Sequence, residues 1–144
     1  MKAVVDTNVL LTAFWKGSVF NRIAPLPHLT LYAPAHAMVE ICKHKETIAR
    51  KTGVDGALFD EEVDRLTGRI RFFEVKEYRS SLQAAARCLK ELPEGERTAA
   101  LEDIDFLALA HARRCALWSN DALLKRQKAV VVLDTRELVL LLEP

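Results

Sequence analysis

Short, continuous apolar runs alternate along this chain with longer stretches of helical period. Residues 3–5 (AVV), 29–33 (LTLYA), 71–75 (RFFEV), 115–119 (CALWS) and 130–133 (VVVL) are short, β-rich and bounded by Pro or polar residues, and they predict five strands. Between them, residues 9–15 are apolar up to Gly17, and Ser18 can cap a short second piece. Residues 35–51 place Met38, Ile41, Cys42 and Ile48 near one face, with Lys43, Lys45, Arg50 and Lys51 elsewhere. Residues 55–68 and 78–92 are amphipathic in the same way, and residues 93–98 read as a charged loop. The alanines and leucines of 101–112 make a mostly buried helix; residues 121–128 and 134–142 are expected to form the last two. Strands alternating with helices predict a parallel, doubly wound sheet.

Length and composition narrow this reading. At 144 residues the chain is one domain, residues 1–144, long enough to bury roughly two thirds of its unfolded surface without a metal or disulfide to hold it together. A formal net charge of +1 advertises no polyanionic partner, so any nucleic-acid contact must come from local clusters of basic residues. Cys42, Cys88 and Cys115 are odd in number and far apart, and read as small core residues of a cytoplasmic protein. No apolar run is long enough to span a membrane.

Four acids carry the candidate chemistry. Asp6 and Asp121 each follow an apolar strand directly, so in a parallel sheet both open at the edge where α/β folds bind ligands. Glu40 lies about one turn into its helix and Asp103 in the first turn of the alanine-rich one, where both can face the same crevice. Each alone has an ordinary explanation as a helix cap, a solvated charge or a complement to a helix dipole. As a set, flanked by polar Thr7, Asn8, Ser119 and Asn120, they suggest a carboxylate cluster. Clustered carboxylates raise one another's pKa unless a cation neutralises them, and hard oxygen ligands suit Mg2+ or Mn2+. Asp105 is the alternative to Asp103: the two stand about 200° apart on a helix, and so apolar a helix does not choose between them.

The start VVDTNVL, the helix AMVEICK around Glu40, the segment DIDFLALA and the close LWSND resemble the PIN domain, which includes the toxin ribonucleases of VapBC toxin-antitoxin pairs. The resemblance spans nearly the whole chain, and its specificity lies in the order and spacing of motifs that are individually weak. It implies a three-layer α/β/α sandwich around a five-stranded parallel sheet. An acid five residues before Ala-x-Ala in that pattern selects Asp103 through Ala108 and Ala110, and the 18-residue interval to Asp121 agrees. By the same resemblance Asp6, Glu40, Asp103 and Asp121 hold one or two Mg2+ or Mn2+ ions and hydrolyse RNA, with Asn8 and Ser119 orienting the acids or a water. A homodimer is expected, for which the apolar stretch 9–15 offers a surface, and an antitoxin protein is a possible partner.

Two other groups bear on function. His36, Glu40 and His44 share a helical stripe but lack the HExxH order of a zinc helix, and histidines are not core ligands in the family resembled. Arg113, Arg114, Lys125, Arg126 and Lys128 surround Asp121 in sequence and are candidates for phosphate contacts, although a solvated helix face is the default explanation for such a run. Competing readings are a PIN nuclease of RNA processing without an antitoxin and a noncatalytic module of the same fold, whose mark would be a lost acid. A phosphatase of the Asp-x-Asp type would need an acid where Asn8 stands.

Overall fold

β1 (Lys2–Val5) is the central strand, and Ala3, Val4 and Val5 are wholly covered. It pairs in parallel with β2 (Thr30–Pro34) on one side and β4 (Ala116–Trp118) on the other, placing Val4 opposite Tyr32 and Val5 opposite Trp118. β3 (Ile70–Phe73) and β5 (Val132–Leu133) complete a five-stranded parallel sheet in the order β3-β2-β1-β4-β5. The computed structural model describes residues 1–143. Parallel neighbours need crossovers, and the intervening helices build the α/β/α sandwich that the resemblance implies around the parallel sheet expected from the alternating pattern.

The first crossover comprises α1 (Thr7–Leu11), a 3₁₀ turn at Thr12–Phe14 and α2 (Val19–Ile23), with Gly17 at φ +80 making the bend and Ser18 capping α2. Val9, Leu10, Ala13 and Phe14 point into the core and Trp15 alone of the run's large residues is exposed, so the stretch 9–15 is packing rather than a free apolar surface. Phe14 stacks on Phe59 of α5 (Gly56–Arg69) at 4.8 Å between centroids, and Phe20 stacks on Trp118 at 5.6 Å. The single helix predicted over 35–51 is divided at His44 into α3 (Ala35–Lys43) and α4 (Lys45–Thr52).

The second half departs further from the sequence pattern. Residues 93–98, expected to be loop, open α7 (Glu94–Leu101), because Glu94 and Glu96 in its first turn complement the helix dipole and the following alanines favour helix. The preceding helix is shorter than predicted: a 3₁₀ turn at Arg79–Ser81 leads into α6 (Leu82–Leu89). The alanine-rich helix, α8 (Ile104–Arg113), starts after Asp103 and not at Leu101. No α-helix forms at 121–128, where only a 3₁₀ turn, Leu124–Arg126, is present. Buried Gln127 explains the difference, since its side chain donates to the Leu124 and Val130 carbonyls (2.8 Å each) and accepts from the Val130 N–H (3.0 Å), competing with helical hydrogen bonds. α9 (Thr135–Leu142) closes the described chain from an Asp134 capping box. Cys42 is exposed and Cys88 and Cys115 are half-buried, so the cysteines are not the core residues expected.

Candidate functional site

The acid site is a product of strand register. Because Val5 lies opposite Trp118, the next residues along, Asp6 and Ser119, come level at the C-terminal edge, and the Asp6 N–H extends the ladder to the Trp118 carbonyl at 3.1 Å. Asp6 caps α1 through a 2.9 Å bond from the Val9 N–H, yet it is only 5% exposed. Capping and burial coexist. Burial is the largest influence on its carboxyl and raises its pKa; the Ser119 hydroxyl and the Val9 N–H oppose that, and the Asp121 charge adds to it.

Asp121 is brought back beside Asp6 by a tight turn. Its N–H donates to the Ser119 Oγ at 3.1 Å, and its Oδ1 accepts from the Leu123 N–H at 2.9 Å. Ser119 is wholly buried, and its hydroxyl serves both strand-end acids: it acts on the Asp6 carboxyl and accepts from the main-chain N–H of Asp121.

Asp103 joins them from the start of α8. Burial first, then the charges of Asp6, Asp121 and Glu102, push its pKa up to about 6. Asp105, two residues later, accepts a 2.8 Å hydrogen bond from the Tyr78 hydroxyl, and burial and this bond together raise the tyrosine's pKa. The two acids thus serve different neighbours: Asp103 feels the strand-end carboxylates, and Asp105 ties α8 to the turn before α6. Tyr78 lies 27 residues from Asp105, and no local pattern pointed to it.

Glu40 is not gathered with the other three. Its half-exposed side chain pairs with Lys43 (3.3 Å) and approaches His44 (3.9 Å), and it is not among the charges acting on Asp6 or Asp103. His36, one turn earlier, packs edge-on against Phe106 of α8, with ring centroids 5.7 Å apart. The Asn8 side chain is exposed, and its main-chain N–H is the part that acts on Asp6.

Basic residues close to Asp121 in sequence scatter in space. Arg113 and Arg114 end α8, a helix that begins beside the acids and runs back to the opposite sheet edge. Arg113 lies over the rings of Phe73 (4.9 Å) and Tyr32 (5.4 Å). Arg114 lines a cavity of about 660 Å³ with His111 and Cys115 at that far edge, away from the acids. Lys125 is held by Asp134 (2.9 Å) and Glu137 (2.6 Å), and Arg126 pairs with Glu96. Lys128 is exposed.

The fit to a divalent ion rests on donor chemistry. Asp6, Asp103 and Asp121 enter no ion pair among the described residues, so nothing cationic on the protein offsets their mutual repulsion. As they stand, no three acidic, histidine or cysteine side chains among the described residues enclose an ion. The case for an ion therefore rests on the hard oxygen donors themselves, since Mg2+ keeps several waters and takes only one or two carboxylates from the protein.

No curated protein matches the sequence. Among solved structures, a chain from the crystal structure of VapBC2 from Rickettsia felis bound to a DNA fragment from their promoter shares the fold, with a TM-score of 0.61 and 16% identity over 93% of this chain and 98% of that one. Residues 4–141 match the family model described as PIN domain, a span running from the strand before Asp6 through the whole acid site, and the chain therefore belongs to the PIN domain family.

Proposed function

We propose that this protein is a divalent-metal-dependent endoribonuclease, acting as the toxin of a VapBC-type pair. The observation that carries the reading is the convergence of Asp6, Asp103 and Asp121 at one sheet edge without a cationic partner, braced by the buried Ser119. PIN membership and the VapBC2 likeness support nuclease chemistry and an antitoxin partner. Asp6 and Asp121, with Asp103, would hold Mg2+ or Mn2+. When bound, such an ion supplies charge to the phosphodiester and lowers the pKa of an attacking water.

The chain's own residues do the positioning. Ser119 holds the Asp6 carboxyl in place and fixes the turn that presents Asp121. Asp103, with a pKa near 6, is charged at neutral pH and ready to bind a cation or to accept a proton. Glu40 would join by leaving Lys43 and His44, a rotamer change open to an exposed side chain. A homodimer would use apolar positions other than the core stretch 9–14, such as Val39, 55% exposed on α3.

The test is cleavage of single-stranded and structured RNA with Mn2+, with and without chelator, by the wild type and Asp6→Asn. Cleavage that survives both chelation and the substitution would overturn the reading. Copurification of the chain with the product of an adjacent small gene would distinguish a toxin from an RNA-processing nuclease.

A further inference from the structure

The acids have a counterpart of opposite sign nearer the N-terminal edge of the same sheet. Tyr32 is in register with Val4 on one side and Arg71 on the other, so the three side chains share a face, and Lys2, two residues before Val4, joins them. α8 packs on that face and lays Arg113 over it: the guanidinium stands 4.9 Å from the Phe73 ring centroid and 5.4 Å from that of Tyr32. Arg71, two residues before Phe73, lies over the same ring at 4.8 Å. Leu117 is level with Val4, which brings Cys115 level with Lys2, and the charges of Arg113 and Lys2 both act on its thiol. Arg113 therefore neighbours both Arg71 and Lys2, and the three make a row.

The row is exposed and uncompensated. Lys2, Arg71 and Arg113 all reach solvent, and none enters an ion pair among the described residues. β1 and β3 are two strand spacings apart, so the row spans about 10 Å. Two of its members cannot spread apart freely, because the Phe73 ring holds both guanidiniums by cation–π contact. Like charges held at this range repel, and an arriving anion relieves them, as a cation relieves Asp6, Asp103 and Asp121. Stacked guanidiniums also lose less freedom on binding, and their planar forks match phosphate oxygens.

We propose that Lys2, Arg71 and Arg113 form an RNA-backbone site separate from the acid cleft, gripping consecutive phosphates of the substrate away from the bond to be cut. A phosphate backbone presents one charge after another along a line, which matches a row of cations; an acidic protein segment is the competing occupant. Lys2 lies four residues before Asp6, about 13 Å down the same strand, and α8 runs along the face between the two places. RNA that touches both must pass round that helix, so the row favours a long substrate over a short fragment. The proposal takes its ligand from the ribonuclease reading, but binding is measurable without cleavage.

The experiment measures binding of the chain to a long single-stranded RNA in chelator, where no metal bridges the acids to phosphate and nothing is cut. The wild type should bind. The triple variant Lys2→Gln, Arg71→Gln, Arg113→Gln should bind at least about tenfold more weakly, with the slope of log K against log salt smaller by about 2, since each phosphate contact contributes about 0.7. Lys2→Gln alone leaves both stacked arginines in place and should cost about 0.7 of slope, which keeps the test decisive if loss of the arginines disturbs the fold. Lys16→Gln, Arg50→Gln, Lys51→Gln makes the same change in net charge on exposed residues outside the row and should leave affinity and slope as they are.

The site is overturned if the wild type binds no RNA in chelator, or if the triple variant and Lys2→Gln keep wild-type affinity and slope. It is overturned equally if polyglutamate displaces the RNA as effectively as unlabelled RNA does. Adding Mn2+ then tests the nuclease reading by itself: RNA that is bound through the row but never cut removes the nuclease and leaves the backbone site standing.

Discussion

Asp6 and Asp134 begin from the same local chemistry and end in opposite electrostatic states. Each follows a parallel strand at the same sheet edge, and each caps the next helix, through the N–H of Val9 or Glu137 at 2.9 Å. Asp134 sits in a capping box with Glu137 and takes Lys125 as partner, and the Glu137 N–H and the lysine hold its carboxyl below the usual range. Asp6 is buried against Asp121 and Asp103 with no lysine or arginine, and its pKa rises. A cap is thus compatible with either role. The surroundings decide: the solvated acid has its own cation, whereas the buried group lacks one, and a site that keeps such a deficit can accept a cation from outside.

The largest expected contrast is in catalysis. Asp6→Asn and Asp121→Asn should each lower RNA cleavage by at least about a hundredfold, because each removes a charged metal ligand. Asn preserves the cap, so metal-free melting temperatures should hold or rise. Asp134→Ala should do the reverse, leaving cleavage within about twofold while lowering the melting temperature by a few degrees through loss of cap and ion pair. Near-wild-type turnover in either site mutant, with purified protein, would remove that acid from the reaction.

The second contrast separates the two acids at the start of α8. Asp103→Asn should impair cleavage strongly and stabilise the metal-free protein. Asp105→Asn should act mainly on stability, because it weakens the bond from Tyr78. Equal effects on turnover would erase the distinction between the cleft-facing and the structural carboxylate.

A smaller effect lies in the pH dependence. Asp103 has a pKa of about 6 when folded and near the ordinary value of 3.8 when unfolded, so the folded state binds the proton more tightly. Stability from this group is fully present below about pH 4 and is lost as pH rises through 6. After allowance for solvent screening the change is about 1 kcal/mol, or roughly 3 °C in melting temperature. Melting curves of metal-free wild type and Asp103→Asn between pH 4 and 7 should therefore converge on the acid side. Saturating Mn2+ should flatten the wild-type dependence. If the wild type loses stability toward pH 4 relative to the mutant, the sign assigned to this site is wrong.

The smallest effects belong to the basic residues. Lys125 and Arg126 are already paired with acids, so neutralising them should change RNA affinity less than neutralising exposed Lys128. A true phosphate contact changes the slope of log K against log salt by about 0.7 for single strands. Salt titrations of Lys125→Gln and Lys128→Gln would compare them directly. A loss of about 0.7 in slope with Lys125→Gln would show that its ion pairs open to bind RNA.

Much of the molecule could be read from residue order. The alternation of apolar runs with helical stretches specified a parallel sheet, because a run buried on both faces needs helices on either side and a crossover between neighbours. Asp6 and Asp121 were legible as members of one edge for the same reason: a parallel strand ends where its neighbour ends. The start of α7 and the irregular 121–128 segment were not legible. A first-turn charge preference and a buried Gln127 hydrogen-bond cluster act over a few residues, and neither leaves a periodic trace.

Tertiary packing alone decided the rest. Helical spacing put Asp103 and Asp105 on different faces, but only the Tyr78 hydroxyl and the strand-end carboxylates assign a face to each. Sequence proximity grouped five basic residues around Asp121, but Arg114 lies at the far edge, Arg113 sits over Tyr32 and Phe73, and acids claim two more. Periodicity reports which side of an element is apolar, and so it determines the layers. Ion pairing depends on where long side chains from distant segments meet, so it is determined only once the layers have packed.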